Sequence, residues 1–326
     1  MSVHAIDTDV VTRVAGRHLG TIEVRDLVRL SGGASRETWA FDASGADGTT
    51  FELILRRDPP GRAPAAVDEC ALLNEAARVG VAVPGVRFEL DEDDGIGRGF
   101  VMDRIDGETL GRRIVGDEVL RGARVGFARR CGEILASVHA MDIDRAGLRM
   151  PTDPSQFVVD QIDGFEQLVD SFGVARPVLE LAMRWLRAHQ PALHEATVVH
   201  GDFRVGNLIV GPEGIRSVLD WELAHVGDPA EDLGWLCVRS WRFGGPGRVG
   251  GIGDVADLIE GYRAAGGRPI TEADIGYWEV FGNLRWAVIC LAQTFAHLNG
   301  DHRSVELAAI GRRVCEVEHD LMELLG

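Results

Sequence analysis

The sequence contains no lysine, so all 34 of its basic residues are arginine. Any role that depends on a lysine side chain must therefore fall to arginine. Cysteine is also scarce, and its five copies form no Cys-x-x-Cys pair, which excludes a disulfide framework and favours reduced, buried thiols. They are Cys70, Cys131, Cys237, Cys290 and Cys315.

The 326 residues contain no apolar run of membrane-spanning length, and the start of the chain lacks a signal-peptide pattern. We therefore expect a cytoplasmic protein with no membrane partner. The formal net charge of -17 disfavours binding to nucleic acid and to anionic membranes. A chain of this length suits two lobes and can bury a sizeable core.

The most informative stretch of the sequence runs from residue 198 to residue 222. It contains His200, Asp202, Asn207 and Asp220 in the order His-x-Asp-x4-Asn-x12-Asp. Phosphoryl transfer from ATP needs a carboxylate to accept the substrate hydroxyl proton, and an amide and a second carboxylate to hold magnesium. Asp202, Asn207 and Asp220 are these residue types in this order, so the motif predicts a phosphotransferase site.

Apolar runs at residues 208–210 and 215–219 flank the turn 211–214, which predicts a β-hairpin. Such a hairpin holds Asn207 and Asp220 side by side, so that both can reach one metal ion. Magnesium prefers oxygen ligands and keeps several waters, so two protein ligands and phosphate oxygens suffice. In the alternative interpretation, a surface hairpin, these residues only form turns, which does not explain their identity and order.

The motif HGDFRVGN, followed by LDWE and GDPAEDLGW, resembles the aminoglycoside phosphotransferase-like family, the small-molecule branch of the protein-kinase-like fold. Within it, the chain is similar to the kinase-like domains fused to some acyl-CoA dehydrogenases, with matches from about residue 31 to about residue 235. The resemblance implies Asp202 as catalytic base, Asn207 and Asp220 as magnesium ligands, and His200 as a residue that shapes the loop. Trp221 follows Asp220 where protein kinases carry phenylalanine, which argues against a protein kinase.

The resemblance also implies an α+β, bilobal fold. Residues 1–103 are expected to form the N-lobe, a small antiparallel sheet with a helix that binds the nucleotide. Residues 104–326 are expected to form a larger, mainly helical C-lobe with the catalytic loop, the metal site and the acceptor-binding helices. The apolar periodicity predicts C-lobe helices at residues 120–141, 157–172, 178–189, 233–241, 255–265, 272–298 and 304–325.

The strand predicted at residues 51–55 ends in Arg56 and Arg57. The resemblance places Arg56 where kinases use a lysine to hold the ATP phosphates, and arginine can grip a phosphate by two parallel hydrogen bonds. Strand alternation directs Arg56 away from the leucine face. In the alternative interpretation both arginines are solvated charges at a strand end, and Arg57 is expected at the surface in either case.

A helix predicted at residues 64–79 follows this strand, with Pro64 at its first position. Glu69 lies early in this helix and is the expected partner of Arg56. Glu75 is expected to face solvent.

Strands predicted at residues 24–30 and 38–41 are joined by a loop that contains Gly32, Gly33 and Ser35. The two glycines would let backbone N–H groups approach phosphates, and the serine hydroxyl would add a contact. A Gly-Gly turn is common in ordinary hairpins, so this assignment depends on the position of the loop upstream of Arg56. The resemblance further implies that residues 102–106, with Met102, contact adenine; an edge strand followed by a turn is the alternative.

Downstream of Asp220, Asp228 is predicted to cap a helix, and Asp232 resembles a family aspartate that supports the catalytic loop. Arg204 either stabilises charge on the transferred phosphate or forms a salt bridge that shapes the loop. His139 is interpreted as structural. The glycine-rich segment 242–251 is too rich in glycine for a packed element and is expected to be a mobile lid or a disordered connection.

These observations predict an enzyme that uses ATP and Mg2+ to phosphorylate a hydroxyl group of a small molecule. The subgroup resemblance suggests a hydroxylated acyl-CoA or a related hydroxy acid as the acceptor, and the acidic segment 316–323 is interpreted as a solvated helix face rather than a site for a cationic antibiotic. Two alternatives stay open: a nucleotide-binding pseudokinase that acts by interaction, and a metal-dependent hydrolase. The hydrolase would use Glu222, His225 and Asp228 together with His200.

Overall fold

The N-terminal part of the chain is an antiparallel sheet with one helix before it and one between its strands. A computed structural model describes residues 6–30, 36–58, 67–153, 156–192, 195–300 and 303–326. In its five-stranded sheet, as described, the strand order is β1-β2-β3-β5-β4 and the paired strands are antiparallel. The elements are α1 (Thr8–Leu19), β1 (Ile22–Arg29), β2 (Glu37–Gly45), β3 (Thr50–Asp58), α2 (Glu69–Arg78), β4 (Val86–Glu89) and β5 (Arg98–Asp103).

Both faces of this sheet are covered, and strand alternation decides which residues each face buries. On β3, Leu53 and Leu55 join the apolar residues of α1 in one core cluster. Ile54 lies on the other face and joins the larger cluster that continues into the C-terminal part. The predicted alternation is therefore confirmed. Helix α1 was not predicted; Asp7 caps it by accepting a hydrogen bond from the Val10 amide.

The C-terminal part is mainly helical and carries two short β-ribbons that frame the motif at residues 198–222. Strand β6 pairs with β9, and β7 pairs with β8, both antiparallel. The predicted α+β arrangement, a small sheet lobe followed by a larger helical lobe, is confirmed. The elements are α3 (Gly111–Gly116), α4 (Phe127–His139), α5 (Phe157–Ser171), α6 (Pro177–Ala188), β6 (Thr197–Val199), β7 (Leu208–Gly211), β8 (Gly214–Val218), β9 (His225–Gly227), α7 (Ala230–Cys237), α8 (Val255–Ala264), α9 (Glu272–Asn299), α10 (Val305–Gly311) and α11 (Val314–Leu325).

Several predicted helix bounds were wrong. Helix α4 begins at Phe127 rather than near residue 120, because Gly126 has a φ of 69° and interrupts the helical path. Helix α7 ends at Cys237, before a 3-10 turn. The segment predicted as one helix at 304–325 is divided into α10 and α11. Helix α2 begins at Glu69 after the cap Asp68, and the predicted start at Pro64 lies outside the described residues.

Arg57 is buried, which contradicts its predicted place at the surface. It lies on the same face of β3 as Leu53 and Leu55, with 1% of its surface exposed. Its Nε and Nη2 atoms lie 2.9 and 2.7 Å from Glu37 Oε2, and Nη1 donates to the Ile96 carbonyl. A charged group is tolerated there because an ion pair and hydrogen bonds satisfy it.

Glu75 is also buried, not solvent-facing as predicted. It is 3% exposed, and its carboxylate accepts hydrogen bonds from Arg78 and from the backbone amide of Asp142. A polar residue on a helix can therefore point inward when a loop offers it an unpaired N–H group.

The glycine-rich segment 242–251 is packed, which contradicts the expectation that it is too rich in glycine for a packed element. Gly247 pairs with Gly251, and the Val249 side chain is fully buried. A Cβ atom on Gly251 would lie 2.1 Å from the Arg242 carbonyl oxygen. Glycine thus allows close backbone packing here rather than flexibility.

Two expectations from composition can be compared with the structure. Within the described ranges, no helix has both the length and the apolar character needed to cross a membrane. Four cysteines are buried as expected, but Cys315 is exposed, which contradicts the expectation of a buried thiol there.

Candidate functional site

Asp202 lies in the loop between β6 and β7, and three side chains hold its carboxylate. The Trp235 indole Nε1–H donates to Oδ1 at 2.8 Å, and the Arg204 Nε–H lies 3.0 Å from Oδ1 and 3.2 Å from Oδ2. Asn207 Nδ2 donates to Oδ2 at 2.6 Å. The residue is 9% exposed, so the carboxylate is held in one orientation.

His200 links this loop to the residue that directly follows β8. Its Nδ1 accepts the Asp202 backbone N–H at 3.2 Å, and its Nε2–H faces the Leu219 carbonyl oxygen at 3.1 Å. This pattern requires a neutral ring. Burial lowers the pKa of His200, which favours the same neutral form. The structure therefore places His200 where it shapes the loop.

Asp232 on α7 holds the backbone of the same loop. Its Oδ2 accepts the His200 amide at 2.8 Å, and its Oδ1 accepts the Gly201 amide at 2.9 Å. His139 Nε2 lies 3.1 Å from Oδ2, and His139 Nδ1 lies 2.8 Å from the Tyr262 hydroxyl. Burial alone would raise the pKa of Asp232, but the hydrogen bond and charge of His139 and the amide bonds outweigh it and lower that pKa.

The β7–β8 hairpin brings the two predicted magnesium ligands together. Asn207 precedes β7 and Asp220 follows β8, and the Leu219 N–H donates to the Asn207 carbonyl oxygen at 2.8 Å. Asp220 has a φ of 66°, the left-handed conformation that aspartate adopts more readily than most residues. Trp221 is fully buried and packs against the ring of His200. The buried Trp221 therefore anchors the chain directly after Asp220, whose side chain is partly exposed.

Arg56 connects this site to the N-terminal sheet. Its Nη1 lies 3.2 Å from Glu69 Oε1, and its Nη2 lies 3.5 Å from Asp220 Oδ1 and 3.7 Å from Glu222 Oε2. Its side chain is 12% exposed, and its Nε is buried with no hydrogen-bond partner in the described part of the chain. Arg56 therefore lies on the site side of β3 and is not a solvated strand end.

Glu69 receives a second arginine that sequence reasoning missed. Arg36 Nη1 lies 2.6 Å from Glu69 Oε2, and Arg36 Nε lies 3.4 Å from Asp58 Oδ1. Burial raises the pKa of Glu69, and the guanidinium groups of Arg56 and Arg36 act in the opposite direction. The only sequence signal for Arg36 was its position directly after the glycine loop.

The remaining predicted nucleotide contacts are placed only in part. Gly32, Gly33 and Ser35 lie outside the described residues. Met102 is 7% exposed and pairs with Ile54 across the sheet. Its contact with adenine stays a prediction.

Trp235 is the principal site residue that the sequence did not reveal. Its helical spacing is that of a core residue, and it is 3% exposed. Only the tertiary structure directs its N–H group to Asp202. Arg204, which also contacts Asp202, has its guanidinium carbon 4.8 Å from the centre of the Trp241 ring. The loop-shaping salt bridge is thus the interaction that the structure contains.

The alternative metal site is not assembled. His225 Nε2 lies 3.1 Å from Glu231 Oε2, and its Nδ1 lies 2.9 Å from the Leu223 carbonyl. Both nitrogens of His200 are likewise engaged with protein atoms. Among the described residues, the three potential metal ligands whose atoms lie within 4.8 Å of one another are His18, Asp91 and Asp94, and none of them is a proposed hydrolase ligand.

Known proteins resemble this chain in sequence. The model of the phosphotransferase enzyme family matches residues 26–269. Two relatives are acyl-CoA dehydrogenase family member 10 of Mus musculus, 29% identical over 198 residues, and probable acyl-CoA dehydrogenase IBR3 of Arabidopsis thaliana, 27% identical over 327 residues. The matches cover 57% and 88% of this chain but only 18% and 39% of those proteins. The chain therefore spans less than half the length of either relative.

Solved structures share the fold. A protein named as a putative aminoglycoside phosphotransferase, from Ralstonia eutropha JMP134, has a TM-score of 0.73 at 23% identity over 98% of both chains. A spectinomycin phosphotransferase solved with ADP and spectinomycin has a TM-score of 0.63 at 15% identity, over 98% of this chain and 99% of its own. Together with the family match over most of the sequence, they show that the chain has the protein-kinase-like fold and belongs to the phosphotransferase enzyme family.

Proposed function

We propose that this protein transfers the terminal phosphoryl group of ATP to a hydroxyl group of a small molecule. The observation that carries the proposal is the convergence of two sets of side chains. The Asp202 carboxylate is held by three donors, and Asn207 beside it is joined through the hairpin to Asp220, which faces Arg56. A base, a pair of oxygen ligands and a phosphate-binding cation are the parts that phosphoryl transfer requires.

The residues present fit a magnesium ion. Asn207 directs its Nδ2 group to Asp202, which leaves the amide oxygen as its remaining polar atom. The Asp220 side chain is 33% exposed, so its carboxylate is accessible. A carboxylate and an amide oxygen on one hairpin suit a cation that takes its other ligands from water and phosphate. When bound, Mg2+ would neutralise charge on the phosphates.

Arg56 is suited to hold the phosphates in place of lysine. Glu69 anchors one end of its guanidinium group, while within the described ranges its Nη2 group makes only long contacts, to Asp220 and Glu222. Among the described residues, the buried Nε–H has no partner, so this side chain has unused donor capacity. A phosphate oxygen could accept from the Nη2 group in place of its long contacts.

Asp202 would orient the acceptor hydroxyl and take its proton. Its neighbours Trp235 and Asn207 fix the carboxylate, so a substrate hydroxyl meets an acceptor that is already positioned. In a loose transition state most of the rate comes from such positioning and from charge stabilisation. His200 and Asp232 contribute by fixing the backbone on which Asp202 is carried.

The acceptor is proposed to be a hydroxylated acyl thioester or hydroxy acid rather than a cationic antibiotic. The relatives that match this chain are named acyl-CoA dehydrogenases. The acidic segment near the C-terminus gives no free acidic patch, because several of its carboxylates already pair with arginine. Those carboxylates are Glu316, Glu318, Asp320 and Glu323.

The test combines nucleotide binding with turnover. In a thermal-shift titration, ATP should stabilise the wild type more strongly when Mg2+ is present, and Asp220→Ala should lose this magnesium dependence. Asp202→Asn should keep the nucleotide shift, whereas its rate of ATP hydrolysis should fall at least about 100-fold, the lower end for loss of a general base. The same variants would then be assayed with hydroxylated acyl thioesters, hydroxy acids and an aminoglycoside.

Two outcomes would contradict the proposal. Full activity of Asp202→Asn would remove the assigned base. A nucleotide shift without turnover on any acceptor, and without ATP hydrolysis, would instead support the pseudokinase.

A further inference from the structure

Trp235 gives Asp202 a rigid hydrogen-bond donor. The indole Nε1–H lies 2.8 Å from Asp202 Oδ1, and the tryptophan is 3% exposed. Trp235 lies on α7 three residues after Asp232, so both side chains leave the same face of the helix. Asp232 binds the backbone of the loop that carries Asp202, and Trp235 binds the Asp202 carboxylate. Helix α7 therefore contacts this loop at two points.

Residues of helix α9 pack against the Trp235 ring and hold it in place. A Cβ atom on Gly282 would lie 3.0 Å from the ring carbon Cε3, so the ring packs directly on the helix backbone. One turn further along α9, the Arg285 guanidinium carbon lies 5.0 Å from the ring centre. Arg285 is 12% exposed and lies 3.2 Å from Glu231. A buried cation over an indole favours this ring position.

The other donors to Asp202 are less suited to fix it. Arg204 has a long, partly exposed side chain, and Asn207 is assigned to the metal in the proposed mechanism. An indole has only two rotatable side-chain bonds, and packing against Gly282 and Arg285 restricts both. Trp235 is thus the donor whose position depends least on what is bound.

We propose that Trp235 is a positioning residue for phosphoryl transfer. Its N–H group holds Oδ1 and so sets the plane of the Asp202 carboxylate toward the acceptor hydroxyl. Trp235 occupies one of the roughly four acceptor positions that a carboxylate offers. This inference rests on the proposed role of Asp202 as base. Displacement of a reacting group by about 1 Å costs roughly 100-fold in rate, which sets the scale of the effect.

The first test compares Trp235→Phe with Trp278→Phe. Trp278 is a matched control because it is 1% exposed on α9 and its Nε1 has no hydrogen-bond partner among the described residues. Both changes remove an indole from the core. Trp235→Phe should lower kcat for ATP hydrolysis by about 10- to 100-fold with KM for ATP unchanged, and Trp278→Phe should leave kcat near the wild-type value. Equal kcat values for the two variants would overturn the inference.

The second test moves the ring without changing it. Gly282→Ala would press a methyl group against Val238 Cγ2, at 2.8 Å, and against Trp235 Cε3, at 3.0 Å, whereas the same change at Gly276 on the same helix meets only an Arg248 nitrogen, at 4.0 Å. Both changes raise helix propensity equally. Gly282→Ala should lower kcat and Gly276→Ala should not. A normal kcat in Gly282→Ala with a displaced indole resonance would contradict the inference.

A spectroscopic measurement separates this inference from the proposed function. The indole 1H–15N resonance of Trp235, assigned by its loss in Trp235→Phe or, if that variant does not fold, by selective labelling, should shift in Asp202→Asn. Absence of a shift would refute the hydrogen bond without reference to activity. Full activity of Asp202→Asn would defeat the proposed function, whereas an inactive Asp202→Asn beside a fully active Trp235→Phe would defeat only this inference.

Discussion

Replacing Asp232 by asparagine tests how the catalytic loop is held. Asp232 is fully buried, and its two carboxylate oxygens accept from the amides of His200 and Gly201 and from the His139 ring. Asparagine has nearly the same shape but only one acceptor oxygen. If that oxygen keeps the His200 and His139 bonds, the new NH2 group faces the Gly201 N–H, and two donors meet with no acceptor between them.

The cost can be worked from these contacts. One charged hydrogen bond is lost, at about 1.5–3 kcal/mol, and the remaining two change from charged to neutral, at about 1 kcal/mol each. The free energy of unfolding should therefore fall by about 3–5 kcal/mol. For a chain of 326 residues, 1 kcal/mol corresponds to about 1.5 °C in Tm, so we expect Tm to drop by about 5–8 °C.

The assay is thermal unfolding, with Asp254→Asn as control. Asp254 caps α8 by accepting the Asp257 amide, and asparagine is as good a cap as aspartate, so that variant should keep its Tm. Asp232→Asn should also lower kcat, because the loop that carries Asp202 loses its anchor. If Asp232→Asn melts within 2 °C of the wild type (roughly one third of the expected shift), the reasoning is refuted.

The same variant should change the pH dependence of stability. The folded pKa of Asp232 lies below its ordinary value of 3.8, since His139 and the amide bonds outweigh the effect of burial. The unfolded chain therefore binds this proton first as pH falls. The contribution of Asp232 is fully present above the unfolded pKa and is lost as pH decreases through the folded pKa. Acid unfolding curves of wild type and Asp232→Asn should thus converge at low pH; parallel curves would contradict this assignment.

Two further predictions concern the arginines at the end of β3. Arg57→Met should lower the free energy of unfolding by about 3–5 kcal/mol in denaturant titration, because it leaves the Glu37 carboxylate buried without its main partner. Arg29→Met removes a longer, exposed contact to the same carboxylate and should have little effect; equal losses would refute the argument from burial. Arg56→Met should raise KM for ATP at least about 10-fold, because the proposed phosphate contact is lost. The Tm measured without nucleotide should also fall, because Glu69 loses one of its two arginine partners. Unchanged KM would exclude Arg56 from the phosphate site.

Local patterns predicted much of the fold. Helices α5, α6, α8 and α9 lie within two residues of their predicted bounds, because each has clear caps or a clear apolar period. The errors occurred where a tertiary neighbour outweighs the local signal. Arg57 and Glu75 look like surface charges in isolation, yet each is buried opposite a group that needs it. The glycine-rich segment looked flexible, yet its glycines allow close packing.

In the site, as in the fold, local sequence predicted some features and tertiary contacts determined the others. The order of Asp202, Asn207 and Asp220 was readable from the chain, since one loop and one hairpin carry all three and their spacing is local. The partners that hold them were not readable. Trp235 is a helix residue 33 positions away from Asp202, and Arg36, directly before β2, is 33 positions away from Glu69. The sequence alone determined which chemical groups the site contains, because those groups lie in one short motif. Only the tertiary structure decided how they are oriented, because a hydrogen bond between distant segments depends on how helices and sheets pack and leaves no periodic trace in the sequence.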